Sequence, residues 1–346
     1  MTLCVLCMLA SPLESAVPKN GSANPLESAL AKSLDLKPPE INTYRKEGVA
    51  PRSSAKLTST GAQTRIPFPV AGGDSCRRWT MSAETKSGTV LDRMVEARRS
   101  AIDHRKRILP EAVLRIAVKK AEGVRDFAGA LSRDAVNVIA ELKKASPSRG
   151  VIREAFDPQG LASQLERAGA CALSVLTEEE FFQGSLKDMR VARAASALPV
   201  LRKDFIIDPW QVWEARAANA DSFLLIVAIL RDSALIELLA LGRQLGMEPL
   251  VEVHTREELS RAVDAGARLI GVNNRDLRTL DVRLDTSLEL IDAMPEACIA
   301  VSESGVGSQE EITRLRAAGF DAFLVGEHLM ASPDPAAALR ALRGEA

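Results

Sequence analysis

The stretch Val138–Gly150, VIAELKKASPSRG, opens as an apolar run, sets Glu141 and Lys143 two residues apart, and breaks at Ser146-Pro147-Ser148-Arg149-Gly150. In an extended strand residues i and i+2 share a face, so Glu141 and Lys143 point one way while Ala140 and Leu142 point the other. A charged pair at the far end of an apolar strand is a site signature, because each ion left unpaired in an apolar setting costs several kcal/mol. A strand end frayed into solvent explains the same residues. The rest of the chain has to decide between the two.

Downstream, strand-like apolar runs alternate with amphipathic helices. The runs are 137–143, 171–177, 199–205, 222–230, 249–254, 269–275, 298–304 and 322–326. Eight such units predict an α/β fold, a closed parallel (β/α)8 TIM barrel. The helices announce their starts: Asp157-Pro158, Asp208-Pro209 and Ser332-Pro333 each put an N-cap residue before a first-turn proline. Ser185-x-x-Asp188, Thr255-x-x-Glu258 and Ser308-x-x-Glu311 have the shape of capping boxes, and Gly169, Gly246, Gly266 and Gly319 mark helix ends. An open doubly wound sheet is the rival architecture. It usually carries a G-x-G-x-x-G turn after its first strand, which Ser146 to Gly150 is not.

Upstream, residues 1–88 hold prolines, serines and glycines with no sustained period of 3.6 or 2, and are expected to be a disordered or non-native extension. The opening MTLCVLCMLASP lacks the positive residues that precede a signal peptide's apolar segment. Met81, just ahead of the patterned region, is a candidate native start. From Thr89 the T-x-x-D shape of a helix start is followed by Leu91, Met94, Val95 and Ile102 at helical spacing. The expected domain is therefore 89–346, a barrel with an extra N-terminal helix. A second helical region, Pro110 to Leu131, is interrupted near Gly123.

The 346 residues exceed one average domain, but a barrel of about 250 leaves too few for a second large one. Lysine plus arginine (45) balances aspartate plus glutamate (46), so no net field recruits nucleic acid or an acidic membrane surface. The longest apolar stretches, such as Phe223 to Leu230, fall short of the roughly 18 residues of a bilayer span. Five cysteines make an odd number for a disulfide framework, and Cys171 and Cys298 begin apolar runs as small buried hydrophobes. A reducing cytoplasm is the expected location. Cys4 and Cys7 form one C-x-x-C without the second pair that zinc requires, and no other cluster has metal spacing. Neither metal nor cofactor is expected.

In a barrel the chemistry sits at the C-terminal ends of the strands, and polar residues collect there. Strand one ends in Glu141, Lys143, Lys144 and Ser146, strand three in Arg202, Lys203 and Asp204, and strand five in Glu252 and His254. Strand six ends in Asn273, Asn274, Arg275 and Asp276, strand seven in Ser302, Glu303 and Ser304, and strand eight in Gly326 and Glu327. Alternation assigns Glu141, Lys143, Lys203, Glu252, Asn273, Arg275 and Glu303 to the barrel mouth. Any one of these alone is explained by a surface ion pair. Three carboxylates and two lysines in a partly dry mouth instead shift one another's pKa values, the usual way to obtain acids and bases near neutrality. Two glycine features, Ser304-Gly305-Val306-Gly307-Ser308 and Val325-Gly326-Glu327-His328, suggest a phosphate cup of backbone N–H groups. His254 and His328 read as structural, and Trp210 and Trp213 as helix packing.

With these residues in view, VIAELKKASPSRG, SVLTEEEFFQGSL, PVLRKDFIIDPWQ, PLVEVHT, IGVNNRDL, VSESGV and LVGEHLM, in this order, resemble the motifs of the indole-3-glycerol phosphate synthase family. The resemblance runs from about Thr89 to the C-terminus, and its N-terminal helix is similar to the one that crosses the family's barrel mouth. It implies a carboxy-lyase of tryptophan biosynthesis that closes 1-(2-carboxyphenylamino)-1-deoxyribulose 5-phosphate to an indole with loss of carbon dioxide and water. On that resemblance Lys203 matches the principal acid, Glu252 the carboxylate of the dehydration, and Glu141 with Lys143 the strand-one pair. Lys143 would hold an anionic group and is a candidate second acid. Asn273 and Glu303 match residues that position the substrate, with Arg275 and Ser304 beside them. Phosphate falls to Ser146, Gly305, Gly326 and the backbone of Glu327, where the family often has serine. The implied partners are this small phosphorylated substrate and, by docking, other enzymes of the pathway. Two alternatives stay open: another phosphate-binding barrel lyase or isomerase, such as phosphoribosylanthranilate isomerase, and a catalytically idle barrel kept as a binding subunit.

Overall fold

The computed structural model describes residues 90–345. The extension, the Cys4 and Cys7 pair, Met81 and the Thr89 cap lie outside them. Within them eight strands, β1 (Asn137–Leu142), β2 (Ala172–Leu176), β3 (Val200–Lys203), β4 (Ser222–Ile226), β5 (Leu250–Val253), β6 (Leu269–Asn273), β7 (Ile299–Glu303) and β8 (Ala322–Val325), close into a barrel. Each strand pairs in parallel with its sequence neighbours, and β8 closes on β1.

Period-2 alternation sorts each strand into two cores. Ile139, Leu201, Leu224, Leu250, Leu269, Val301 and Leu324 fill the barrel interior. Val138, Ala140, Val200, Phe223, Val251, Ile270 and Phe323 face the helices outside. Both sets are buried, so the strands read as near-continuous apolar runs. Some runs outlast their strands for that reason. The run 222–230 leaves β4 at Ile226 and turns through a 3₁₀ segment, Val227–Ile229, because burial satisfies apolar residues in either conformation.

The helices are α1 (Val90–Ile108), α2 (Glu111–Val118), α3 (Phe127–Leu131), α4 (Pro158–Arg167), α5 (Leu186–Ala194), α6 (Pro209–Ala217), α7 (Asp232–Gln244), α8 (Arg256–Asp264), α9 (Asp285–Ile291), α10 (Gln309–Ala318), α11 (Glu327–Ala331) and α12 (Pro335–Arg343). Asp157, Ser185, Asp208, Thr255 and Ser308 cap their helices, but of the three expected capping boxes only that of Ser308 and Glu311 is complete. The Ser332-Pro333 start is corrected: the cap is Asp334, whose side chain accepts from the Ala337 N–H, and Pro335 takes the first turn. Ser332 instead bonds to the backbone of Asp334 and shapes the approach. The region 110–131 is two short helices rather than one interrupted helix.

Helix α1 buries Met94, Val95 and Ile102. Ile102 joins Leu114, Trp210 and Trp213 in a separate small core, and the Trp210 indole donates to Leu109 O at 2.9 Å. This is why α6 is buried on nearly every side: α1 and α2 cover the face that a barrel helix normally shows to water.

Candidate active site

The polar strand ends converge on a cavity of about 760 Å³ at the C-terminal rim of the barrel. Its lining includes Glu141, Lys143, Lys203, Glu252, Asn273, Arg275, Glu303 and Ser304, with Gly305, Gly326 and Glu327. Ser146 lies in an adjoining space of about 90 Å³ that Lys143, Arg275 and Glu327 also line and that Leu91 and Met94 of α1 close. The expected residues are thus gathered at one rim.

At the centre the Lys203 ammonium donates to Glu252 Oε2 at 2.9 Å and Glu303 Oε2 at 2.5 Å. Burial alone drives that ammonium toward neutrality, but Glu252, Glu303 and Glu141 outweigh it and raise its pKa. Burial also opposes the charge on Glu252, yet Lys203 and His254 hold its pKa below the usual carboxylate range. Glu303 goes the other way. Burial and the neighbouring Glu252 and Glu141 charges defeat the help from Lys203 and push its pKa up to about 7. Its Oε1 has no hydrogen-bond partner among the described residues. One lysine between two carboxylates of opposite tendency is an acid–base set.

The flanking contacts orient this set. Asn273 donates to Glu252 Oε1 at 3.1 Å, and its Oδ1 accepts from the Arg275 N–H. Lys143 pairs with Glu141 Oε1 at 2.8 Å. Two glycines make room for the carboxylates: a Cβ at Gly271 would fall 2.0 Å from Glu303 Oε1, and one at Gly326 would fall 2.2 Å from Glu141 Oε1. The Gly305 turn has a different need. Ser304 and Gly305 both have positive φ, at 64° and 83°. The N–H groups of Gly307 and Ser308 are occupied by Glu311 Oε2, at 2.8 and 3.0 Å. Glu327 turns its carboxylate to Arg149, 2.7 Å away, and Arg275, 3.3 Å away.

Sequence reasoning missed three features. Leu176, Phe182, Phe205, Leu224, Ile226 and Leu277 give the cavity an apolar wall. The motif EFFQGSL held the signal for Phe182, because the buried Glu178 accepts from the N–H groups of residues 180, 181 and 182 and pins that turn. The second feature is an ion cluster beside Lys203. The fully buried Arg202 points outward to Asp204 and Glu214, both at 2.9 Å, while Asp204 also accepts from Arg98 of α1 and from Thr177 at 2.6 Å. The third is Asn274, which donates to Ser302 Oγ and to the carbonyls of Glu303 and Ser304 and so ties the rim of β6 to that of β7. His328 is exposed at the rim. Among the described residues no His, Cys, Asp or Glu group is arranged to hold a metal ion.

Against known proteins, the family model for indole-3-glycerol phosphate synthase matches residues 91–342. The chain is 47% identical over 260 residues to the indole-3-glycerol phosphate synthase of Aromatoleum aromaticum, covering 74% of this chain and 99% of that one. It is 49% identical over 257 residues to that of Dehalococcoides mccartyi, covering 73% and 99%. Among solved structures, 3-hexulose-6-phosphate synthase from Salmonella typhimurium matches with a TM-score of 0.50 at 12% identity, covering 61% of this chain and 98% of that one, a likeness of fold alone.

Proposed function

The chain belongs to the indole-3-glycerol phosphate synthase family, enzymes of tryptophan biosynthesis, and from that premise we propose how its own residues divide the reaction. The substrate is 1-(2-carboxyphenylamino)-1-deoxyribulose 5-phosphate. Its ring carbon attacks the ketone, and carbon dioxide and water leave, which makes the enzyme a carboxy-lyase. Lys203 donates to the ketone oxygen as the ring carbon attacks, and its raised pKa supports an acid that is fully loaded at neutral pH. Glu252 takes a proton in the dehydration, and Glu303, whose pKa is raised by burial and the neighbouring carboxylates, holds the developing charges with it. Lys143, steadied by Glu141, grips an anionic group of the substrate and is the candidate second acid. Asn273 and Ser304 complete the catalytic set by orienting Glu252 and the rim of β7.

The apolar wall of Phe182, Phe205, Leu224 and Leu277 suits the aromatic ring. Ser146, Arg275, Gly305, Gly326 and the backbone N–H of Glu327 take the phosphate at the other end. A cytoplasmic setting fits the family's biosynthetic role; among the described residues no helix is long and apolar enough to cross a membrane.

The observation that carries this assignment is the Lys203 ammonium between Glu252 and Glu303 in a cavity with one charged and one apolar wall. Indole fluorescence on addition of the substrate tests it. Lys203→Ala and Glu252→Gln should each lower kcat at least about 100-fold with the fold intact, the scale of a lost general acid or base. Near wild-type turnover in either variant would reassign the roles, and no indole product from the wild type would favour an idle barrel or a different phosphorylated substrate.

A further inference from the structure

His254 is a partly buried titratable group that the chemistry above does not use. Its Nδ1 lies 3.0 Å from Glu258 Oε2, and its Nε2 lies 3.3 Å from Glu252 Oε1. The Nε2 contact is off the line of a hydrogen bond, so this nitrogen has no hydrogen-bond partner among the described residues. Glu258 is spent on this ring. The Thr255 side chain caps α8 by accepting from the Glu258 N–H, but the Glu258 carboxylate does not return to the Thr255 N–H as a capping box would. It accepts instead from the backbone N–H of His254 at 2.7 Å and fixes the ring beside it. The result is a file, Glu258, His254, Glu252, Lys203, running from the first turn of α8 into the barrel, hydrogen-bonded except at the 3.3 Å step from His254 Nε2 to Glu252 Oε1.

The reaction proposed above needs such a file, and the inference rests on that reading. The ketone oxygen leaves as water with two protons. The methylene carbon between the ring nitrogen and the ketone supplies one of them as it becomes part of the indole. The other comes from solution, because the substrate's carboxylate departs as neutral carbon dioxide and takes its negative charge out of the balance. With Lys203 also protonating the departing hydroxyl, on the methylene proton returned to it through Glu252, each turnover leaves the Lys203 and Glu252 pair one proton short.

We propose that His254 and Glu258 form the inlet through which the Lys203 and Glu252 pair regains that proton. The Nε2–H bond of His254 breaks, its electron pair stays on the ring nitrogen, and the proton bonds to Glu252 Oε1. From Glu252 it passes to the neutral amine of Lys203, 2.9 Å from Oε2. The neutral ring keeps its Nδ1–H on Glu258 and is reprotonated from solvent, to which the side chains of His254 and Glu258 remain 11% and 16% exposed. The transfer becomes favourable only after Lys203 has given up its proton, since the cation that made Glu252 a poor acceptor is then gone. Asn273 also donates a hydrogen bond to Glu252 Oε1, but a carboxamide N–H is far too weak an acid to give its proton up. His254 acts through Glu252 and does not touch substrate.

Rapid mixing of substrate with enzyme in weakly buffered solution containing a pH indicator tests the inlet. In H254Q the first turnover per site should run at the wild-type rate on the proton stored on Lys203, with later turnovers slowed by about tenfold or more, within the range of acid–base contributions. Added imidazole should restore the later turnovers. E258Q, which keeps an acceptor oxygen for the His254 backbone, should shift the steady state in the same direction by less, and stands in if H254Q fails to fold. First and later turnovers slowed alike, imidazole without effect, or a steady state within about twofold of wild type would each overturn the inlet. Absence of indole product and proton uptake in the wild type would overturn the proposed function instead.

Discussion

Gly326 and Glu141 compete for one volume: a Cβ on Gly326 would sit 2.2 Å from Glu141 Oε1 and 3.1 Å from Glu141 Cβ. The two residues meet because β8 pairs with β1 in the register Ala140 to Val325, which brings the next residue of each strand abreast. Gly326 has φ −118°, a value any residue adopts, so space and not backbone freedom requires glycine there. Gly326→Ala should therefore displace the Glu141 carboxylate and its partner Lys143 and lower kcat by up to about 100-fold, as small misplacements of reacting groups do. Steady-state kinetics beside a thermal melt checks this. An active, normally folded variant would show that the carboxylate has room to move.

Lys203→Ala removes the cation shared by Glu252 and Glu303. It should destabilise the fold by about 3–5 kcal/mol, the cost of leaving buried charge without its partner. The carboxylates left behind then have folded-state pKa values above their unfolded ones, so the folded state holds protons that the unfolded chain has shed. Stability should fall as pH rises from the ordinary carboxylate range, and Glu303, at about 7 even with Lys203 present, carries that fall past neutrality. Urea unfolding at pH 6 and pH 8 should show the larger loss at pH 8. Equal losses at the two values would contradict the assignment.

His254 gives a second pH signature, of opposite chemistry. Burial works against its charge, but Glu252 and Glu258 overcome that and raise its pKa to about 10. A histidine with a raised folded pKa contributes stability that is fully present below the ordinary value of about 6.5 and is lost as pH climbs through the folded one. The stability gap between wild type and H254Q should accordingly narrow from pH 7 to pH 10. Denaturant midpoints of the two proteins measure it, and a gap that holds constant over that range would mean the ring is neutral in the folded state.

Glu327 faces Arg149 and Arg275 where the phosphate end is expected, and its carboxylate repels a dianion while occupying both guanidinium groups. E327Q should tighten binding of inorganic phosphate and lower KM by up to about fivefold, the scale of partly exposed pairs. The difference should shrink as salt is added. Titration with phosphate at low and high ionic strength checks both, and weaker binding by the variant would show that Glu327 positions the arginines for phosphate instead of competing with it.

Much of this was legible along the chain. Alternation within single strands told which of Glu141, Lys203, Glu252, Asn273 and Glu303 share the interior, because side-chain direction in a strand is a local property with period two. Caps and glycines marked the helices for the same local reason. Distances across the ring are not local. Barrel stagger brought Gly326 against Glu141 and gave Lys203 two carboxylates 49 and 100 residues away, and the packing of α1 let Arg98 reach Asp204 across 106 positions. The carboxylate of Glu258 had two acceptable neighbours, Thr255 and His254, and packing of α8 on β5 chose the ring. Propensity and pattern assign the direction of each side chain. The pairing register and the low-dielectric surroundings assign its partners and its charge, and these exist only once the ring has closed.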